Sequence, residues 1–489
     1  MADEPHSNHS ERPYIHLFRA EQYNFVLDLH TNRIFSLGAR EAQLFNRWQN
    51  GETLAELVKE YPAEVARIQE FETQGLFQCE PPEGLAFGAS WEQIREMILR
   101  KRQRTVIEIT QRCNLACKYC TFGGGFSDHR VLTNCTMSDD LLRACIQSGF
   151  EYGAQLDEIG FGFYGGEPLC AFELLKMAVA FANQLAANTG KRLRFSITTN
   201  ATLMDERKAR FLRDEDFTVL VSLDGPQYMH DRYRVFRNGL GSYQATLKGL
   251  RTLLEVYPPE QHEKIGLSMV VPSSGWIRYL RQLWGDEPWL PKTLRANANL
   301  MNVPDGMELP PPPTAPDSTS IKAEWIASLT EERAEKTRLA WSSYDSPLAQ
   351  LHQRPVFSGY RRTFYPNGCC IPGTRKIYVT VDGDYQICER VHGAPTIGTV
   401  RGGVDLEQIR AIVQEYCDSS FADCRECWAV SLCSMCFLHA YQNGKFSMEK
   451  KREYCTSTRD SRAARLSLYA LVGKKFPHKL DEWDTYEIS

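Results

Sequence analysis

Three cysteines in the first quarter of the chain are spaced closely enough to hold one inorganic group. Cys113, Cys117 and Cys120 stand in the pattern C-x-x-x-C-x-x-C, directly after a strand-like run at 105–110. Three thiolates on one tight loop hold three irons of a cubane cluster and leave the fourth iron without a protein ligand. An open metal position of this kind is where a substrate or cofactor binds. Taken alone, the triplet also fits a zinc loop or a set of buried thiols.

The remaining cysteines indicate metal binding rather than disulfides. The chain has 16 cysteines, and disulfides are rare in a reducing compartment. Many of them cluster in the last third of the chain. The Asp-Gly pair at 382–383 is a hairpin turn signal between two strand-like runs. Such a hairpin brings Cys370 and Cys388 close together. Zinc is again the alternative to iron.

The elements around the first cysteine group alternate between strand-like and helix-like segments, which predicts a parallel sheet with crossover helices. The predicted strands are Val106–Thr110, Glu158–Tyr164, Leu193–Thr199, Thr218–Leu223 and Ile265–Val271. The predicted fold class is α/β, with a partial (β/α) barrel of the TIM type. The active site of such a barrel lies at the carboxyl ends of its strands. The cysteine triplet follows the first strand, as this rule requires.

Three later strands also end in residues suited to contact a ligand. The second runs into Tyr164-Gly165-Gly166-Glu167-Pro168. Glycines allow a ligand to approach the backbone, and a carboxylate accepts hydrogen bonds from an ammonium group. The third strand ends at Asn200, and the fourth continues into Ser222 and Asp224. Turn formation and helix capping are the alternative roles of Asp224 and of His230.

The cysteine triplet resembles the signature of the radical SAM enzymes residue for residue. The resemblance implies that Cys113, Cys117 and Cys120 bind a catalytic [4Fe-4S] cluster whose open iron chelates S-adenosyl-L-methionine. One electron from the cluster then cleaves this cofactor to a 5′-deoxyadenosyl radical. The Gly-Gly-Glu-Pro turn matches the family's site for the methionine amino group. The cofactor-binding residues implied in this way are Tyr119, Gly165, Gly166, Glu167, Pro168, Asn200, Ser222 and Asp224.

The cysteine-rich C-terminal region resembles a SPASM domain, which binds two auxiliary iron–sulfur clusters. The resemblance implies a nearer cluster on Cys370, Cys388 and Cys436, whose fourth ligand stays open between Cys369, Cys417 and a substrate thiolate. It implies a farther cluster on four residues, namely Cys424, Cys427, Cys433 and Cys455. The family usually ends this run with C-x-x-x-C, whereas here two residues separate the last pair. Three [4Fe-4S] clusters are therefore expected in total.

The N-terminal region has a hairpin pattern followed by helix-like segments. It resembles the winged-helix-like domain that recognises the leader of a ribosomally made precursor peptide. In that family the leader adds as a strand to an exposed sheet edge, and its apolar side chains lie between the sheet and the last helix. A DNA-binding winged helix is the alternative. It is disfavoured because the third helix carries Glu64, Glu70 and Glu72, which repel phosphates.

Composition, patterning and the resemblances above together divide the chain into six segments. These are a disordered tail at 1–12, a leader-recognition domain at 13–82, a bridging helix at 83–103, the radical SAM partial barrel at 104–300, a Pro-rich insertion with bridging helices at 301–360, and the SPASM domain at 361–489. The net charge of −4 argues against nucleic acid as a partner. No signal peptide or membrane span is apparent. We therefore expect a cytoplasmic protein with no membrane partner.

These resemblances predict a peptide maturase of the sactipeptide or ranthipeptide type, which forms intramolecular thioether crosslinks. Its expected partners are a precursor peptide, bound through its leader at 13–82, and an external electron donor such as flavodoxin or ferredoxin. The alternatives are a carbon–carbon or ether crosslink, epimerisation, or oxidation of a protein as in anaerobic sulfatase maturation. An iron–sulfur regulator that binds DNA is a further alternative.

Overall fold

The computed structural model describes residues 12–123, 125–126, 131, 133–312, 321–330, 338–365, 368, 370–391 and 393–486. Residues 1–11 of the predicted tail and Cys369, one candidate for the missing ligand, lie outside these ranges. The described residues form a small N-terminal sheet with helices, a large central sheet and a cysteine-rich C-terminal part.

The N-terminal part is a three-stranded antiparallel sheet in the order β1-β2-β3, with three helices beside it. Its elements are β1 (Ile15–Ala20), β2 (Tyr23–Asp28), β3 (Ile34–Leu37), α1 (Ala39–Gln49), α2 (Leu54–Leu57) and α3 (Pro62–Thr73). The predicted hairpin and helices are confirmed, and Thr53 caps α2 by accepting the N–H of Glu56 at 3.2 Å. Among the described residues, β3 pairs only with β2. Its outer edge is therefore open to another strand.

A short connection, β4 (Gly84–Leu85) and α4 (Trp91–Arg100), leads into the central sheet. Six parallel strands lie side by side in chain order, namely β5 (Arg104–Thr110), β6 (Glu158–Gly165), β7 (Arg192–Thr199), β8 (Thr218–Ser222), β9 (Ile265–Val271) and β10 (Arg295–Leu300). The α/β fold class with a parallel sheet is confirmed. The sequence did not predict β10, because its run of alanine and asparagine has low strand propensity. Pairing with β9 along six residues holds it in the sheet.

Crossover helices connect these strands, as the alternation predicted. They are α5 (Asp139–Tyr152), α6 (Phe172–Thr189), α7 (Glu206–Asp214), α8 (Gln227–Tyr233), α9 (Tyr243–Val256) and α10 (Gln282–Asp286). Residues 168–189, which include α6, are long and apolar enough to cross a membrane by length and composition alone. This amends the expectation that no stretch of the chain approaches a span. The helix instead packs Leu175 and Val179 into the core.

The C-terminal part extends the same sheet. After α11 (Ile321–Thr330), α12 (Arg338–Ala340) and α13 (Ser346–His352), β11 (Thr363–Phe364) pairs with β4. The predicted hairpin follows as β12 (Lys376–Val379) and β13 (Tyr385–Gln386), and β12 runs parallel to β5. The remaining elements are β14 (Gly398–Thr399), β15 (Gly403–Val404), α14 (Leu406–Cys424), β16 (Tyr441–Gln442), β17 (Lys445–Phe446), α15 (Met448–Lys475) and α16 (His478–Asp484).

Candidate functional site

A cavity of about 1160 Å³ lies on one face of the central sheet, and we call it the lumen. Each of the six parallel strands contributes alternate residues to it, namely Val106, Gly162, Thr198, Leu220, Ser268 and Asn299. The period-2 geometry of a strand directs these side chains to the same face. Cys113, Cys117 and Cys120 line the same cavity. The structure therefore brings the three thiols together at the carboxyl end of β5.

Main-chain contacts hold the cysteine loop in place. The N–H groups of Ala116 and Lys118 donate to Val235 O and Tyr233 O at 2.8 and 2.9 Å. Burial raises the pKa of Cys113 to about 12 and that of Cys117 to about 11. Buried thiolates are therefore unfavourable by themselves and favourable next to a cation or metal.

The turn after β6 closes directly against this loop. A β-carbon at Gly165 would overlap the carbonyl oxygen of Thr110, and one at Gly166 would overlap that of Arg112. Gly165 also has a positive φ of 123°. The two glycines are thus required by contact between two backbones, and both also line the lumen. Pro168 does not line the lumen and begins a buried 3₁₀ turn instead.

Glu167 lies at the lumen wall with only 1% of its surface exposed. Its carboxylate accepts from Leu169 N at 3.0 Å, Thr199 Oγ1 at 2.7 Å and Asn200 N at 2.7 Å. Burial raises its pKa, and these three donors oppose the shift. A carboxylate has about four acceptor positions, so one position, on Oε2, has no donor among the described residues. Glu167 therefore joins the ends of β6 and β7 and can accept one further donor.

Asp224 is placed differently from the expectation that it contacts a cofactor. It is buried, does not line the lumen, and accepts from Tyr119 Oη at 2.6 Å, Arg234 Nε at 3.0 Å and Val270 N at 2.9 Å. Tyr119 and Arg234 themselves line the lumen. Asp224 therefore positions two lumen residues. His230 donates to or accepts from Ser242 Oγ at 2.9 Å inside the core, which agrees with the structural alternative.

Arg234 is a site residue that the sequence analysis did not assign. Its Nη1 lies 3.8 Å from Cys117 Sγ, and its guanidinium is 5.4 Å from the centre of the Tyr119 ring. Asn200 and Ser222, which the resemblance implies as cofactor-binding residues, line the lumen. Asn200 Nδ2 also donates to Asn114 Oδ1 at 3.0 Å, which connects β7 to the cysteine loop.

The four thiols assigned to the farther cluster lie together. Cys424 is within electrostatic range of Cys427 and Cys455, and Cys433 is within range of Cys424 and Cys427. Lys451 is 3% exposed and donates to Cys424 Sγ at 3.6 Å. Its Nζ also lies 4.4 Å from the centre of the Tyr416 ring. A buried cation thus faces this cysteine group.

The nearer set is more open. Cys436 is within electrostatic range of Cys370, and Lys376 is in range of both Cys436 and Cys388. Cys417 does not join this set, because it is buried on α14 beside Cys424 and Lys451. His439 Nδ1 lies 4.0 Å from Cys436 Sγ. Among the described residues, no three His, Cys, Asp or Glu side chains form a ready site for a single metal ion.

The sequence of the region that forms this site matches a known protein family. Residues 107–273 match the model of the Radical SAM superfamily. This chain contains a radical SAM domain. The domain covers the cysteine loop, the Gly-Gly-Glu-Pro turn and five of the six parallel strands, so it includes the carboxyl-end side of the lumen.

The radical SAM domain is similar to parts of curated proteins. A cysteine-type anaerobic sulfatase-maturating enzyme of Clostridium novyi is 30% identical over 146 residues, which are 29% of this chain and 38% of that protein. An uncharacterised protein of Methanocaldococcus jannaschii is 32% identical over 178 residues, 36% of this chain and 55% of that protein. The matches thus span between about a third and just over half of these relatives.

Solved structures agree in fold. Native anSMEcpe with bound AdoMet has a TM-score of 0.54 at 19% identity, and the match covers 78% of this chain and 100% of that chain. The same protein is also known with bound AdoMet and a peptide, Kp18Cys, at a TM-score of 0.54 and 18% identity. At this identity the likeness concerns the fold alone.

The radical SAM superfamily implies S-adenosyl-L-methionine and one [4Fe-4S] cluster, and the residues present fit both groups. Three thiols on one loop are the donor set of an open cluster. The lumen beside them is at least as large as typical ligand sites. It also presents one open acceptor position on Glu167 for an ammonium group.

Proposed function

We propose that this protein is a radical SAM peptide maturase that forms thioether crosslinks in a ribosomally made precursor peptide. The observation that supports this most directly is the lumen, because it joins the three thiols of the radical SAM domain to the region of Cys388. Lys376, Glu389 and Arg390 line its amino-terminal end, and Arg390 N donates to Cys388 Sγ at 3.4 Å. The cavity therefore extends from the three thiols to residues that flank Cys388, although Cys388 itself does not line it.

The chain's own residues divide the work in this proposal. Cys113, Cys117 and Cys120 would hold the cluster, and S-adenosyl-L-methionine bound to it supplies, on one-electron reduction, an oxidant that removes a hydrogen atom from a peptide carbon. Glu167 would accept the cofactor's ammonium group. Asp224 would keep Tyr119 and Arg234 in place along the lumen wall.

Formation of a carbon–sulfur bond requires a second electron to leave. The thiol loses its proton, the carbon has lost a hydrogen atom, and the bond that joins them releases one electron. Cys370, Cys388 and Cys436 would hold an auxiliary cluster that takes this electron, and the set on Cys424, Cys427, Cys433 and Cys455 would hold the second. A substrate thiolate as the fourth ligand of the nearer cluster would place sulfur beside the lumen.

Residues 13–82 would bind the leader of the precursor. A cavity of about 140 Å³ lies between β3 and α3 and is lined by Phe35, Leu37, Ile68, Phe71 and Phe77. The outer edge of β3 is open among the described residues. An extended peptide that pairs with β3 would place alternate apolar side chains in this groove.

The test begins with a search of the DNA beside the gene for a short reading frame that encodes cysteines. That peptide is then co-expressed with the enzyme and analysed by mass spectrometry. A thioether predicts the loss of two hydrogen atoms per crosslink and the loss of one alkylatable thiol. A variant with Cys113, Cys117 and Cys120 all replaced by alanine should give unmodified peptide. A modified peptide that retains every thiol would contradict thioether formation. Flavodoxin or ferredoxin with its reductase would serve as the electron donor.

A second candidate, oxidation of a protein cysteine or serine, is favoured by the similarity to anaerobic sulfatase-maturating enzymes. The same mass spectrum separates the two candidates. Oxidation converts the thiol or hydroxyl group to an aldehyde, and an aldehyde reacts with hydrazines. A thioether does not react with them.

A further inference from the structure

Arg104 lies at the amino-terminal end of the lumen, where β5 begins. Its Nη2 donates to Ser196 Oγ on β7, so the side chain crosses the face of β6. At that crossing β6 carries glycine at positions 160 and 162. A β-carbon at Gly162 would lie 3.3 Å from Arg104 Nε and 3.2 Å from Ser196 Oγ. Gly160 and Gly162, which we call the glycine strip, thus leave room on the face of β6 for the Arg104 side chain.

The guanidinium has no ion-pair partner among the described residues. Arg104 is exposed to the cavity, and Glu389 lies within electrostatic range of it. Both oxygens of Glu389, however, accept from Lys376 Nζ, at 2.8 and 2.9 Å. Arg104 has one hydrogen bond to a neutral hydroxyl and other N–H groups at the cavity surface. A planar fork of this kind binds carboxylates with two parallel hydrogen bonds.

The other anions expected in the lumen do not occupy this position. Arg104 Nη2 reaches Ser196, which is in register with Gly162 and Val106. The guanidinium therefore lies about four residue steps, or roughly 13 Å, from the end of β5 where the cysteine loop begins. The carboxylate of a cofactor that is held at the loop is too far away to pair with it. Lys376 and Arg390 are in electrostatic range of Cys436, so they face the nearer cysteine set. Arg104 instead extends across β6 to β7.

We propose that Arg104 and Ser196 form a subsite for a carboxylate side chain of the peptide substrate. An aspartate or glutamate of the core peptide enters the lumen and binds the guanidinium over the glycine strip. This positions the neighbouring peptide carbon between the amino end of the sheet and the radical SAM loop. The inference rests on the proposed peptide substrate, and it adds that an acidic residue is selected.

The test uses the full-length protein with reconstituted clusters and S-adenosyl-L-methionine. The probes are two capped peptides, acetyl-Gly-Glu-Gly-Cys-Gly-amide and its glutamine analogue, and binding is measured by equilibrium dialysis. We expect the glutamate peptide to bind about tenfold more tightly, since hydrogen bonds to a charged acceptor are stronger than those to a neutral one. Arg104→Gln should abolish this preference, and Arg104→Lys should restore part of it.

Gly162→Ala is the sharper variant, because it leaves the arginine present and displaces its guanidinium. We expect it to reduce the preference as well. Arg192→Gln is the matched control. Arg192 is the first residue of β7, and its side chain is 75% exposed. Its Nε lies 3.5 Å from Glu158 Oε2, and the residue does not line the lumen. Gly285→Ala, with no atom within 4 Å of the added carbon, controls for the glycine change.

Two results would overturn the subsite. One is equal binding of both peptides to the wild-type protein, and the other is a preference that Arg104→Gln leaves unchanged. Cleavage of S-adenosyl-L-methionine is measured in the same samples. A wild-type protein that does not cleave the cofactor contradicts the proposed function, whereas cleavage without a carboxylate preference contradicts only this inference.

Discussion

His16 and Trp428 stack face to face, with ring centroids 3.9 Å apart and ring planes within 7° of parallel. His16 belongs to β1, and Trp428 follows Cys427 in the farther cysteine group. Beside this pair, Tyr14 Oη donates to Arg425 O, between Cys424 and Cys427. The N-terminal sheet therefore rests directly on the C-x-x-C loop. Docking of that sheet and the shape of this loop are physically linked.

This contact predicts acid-sensitive stability. Burial lowers the pKa of His16 to about 4, below the usual value near 6.5. Between these values the unfolded chain binds the proton and the folded chain does not, so stability falls as the pH decreases. At about pH 5 the loss amounts to at most about 2 kcal/mol. Thermal unfolding at about pH 7.5 and about pH 5 measures it.

His16→Phe keeps an aromatic ring against Trp428 and removes the titrating group. We expect it to reduce the destabilisation between these two pH values. Some pH dependence should remain, because burial also lowers the pKa of His30. An unchanged pH dependence in His16→Phe would contradict the assignment to this contact.

The ion pair of Asp224 and Arg234 predicts a strong effect of a single isosteric change. Asp224→Asn leaves a buried guanidinium unpaired, and breaking a buried pair on one side costs about 3–5 kcal/mol. Tyr119→Phe removes only one hydrogen bond to the same carboxylate, which is worth about 1.5–3 kcal/mol. Urea denaturation of both variants measures the difference. Equal stabilities of the two variants would refute the role of Asp224 as the shared anchor.

Lys451 predicts a shift in reduction potential at the farther cysteine group. A buried ammonium 3.6 Å from Cys424 Sγ stabilises the more negative, reduced form of a cluster bound there. We expect Lys451→Met to lower the one-electron reduction constant about tenfold, which corresponds to about 59 mV. A redox titration followed by electron paramagnetic resonance measures the shift.

Lys450→Met is the control for this change. Lys450 precedes Lys451 on α15, but its Nζ donates to the carbonyl of Tyr441 at 2.6 Å. Its replacement should leave the potential close to that of the wild type. Equal shifts of the reduction potential in the two variants would show that the charge of Lys451 beside Cys424 has no specific effect.

The groove between β3 and α3 predicts where leader binding is lost. Phe71→Glu places a charge among apolar groove residues, so we expect at least a tenfold loss of affinity for the precursor leader, with cofactor cleavage retained. Fluorescence anisotropy with a labelled leader measures the affinity. Val58→Glu is the control, because Val58 is 39% exposed on the same domain and does not line the groove. Equal affinities of both variants would place the leader elsewhere.

The sequence by itself determined the elements whose signals are local. The cysteine spacing, the strand–helix alternation of β5–β9 and the Asp-Gly hairpin depend on residues close together in the chain. Thr53 caps its helix for the same reason. The structure confirmed these elements because each is stabilised by its own neighbours, by period-2 burial or by a favoured turn.

Only the tertiary structure decided features that depend on distant residues. β10 exists because β9 offers it a partner, although its own residues favour no strand. Asp224 faces Tyr119 and Arg234 rather than the lumen, because β8, the cysteine loop and the segment after α8 converge on it. The two glycines of the Gly-Gly-Glu-Pro turn are required because the backbone of residues 110–112 leaves no room for a β-carbon. The neighbours of Cys417 and Arg104 also come from distant parts of the chain. Tertiary packing sets the direction of a side chain, and a local sequence pattern does not predict it.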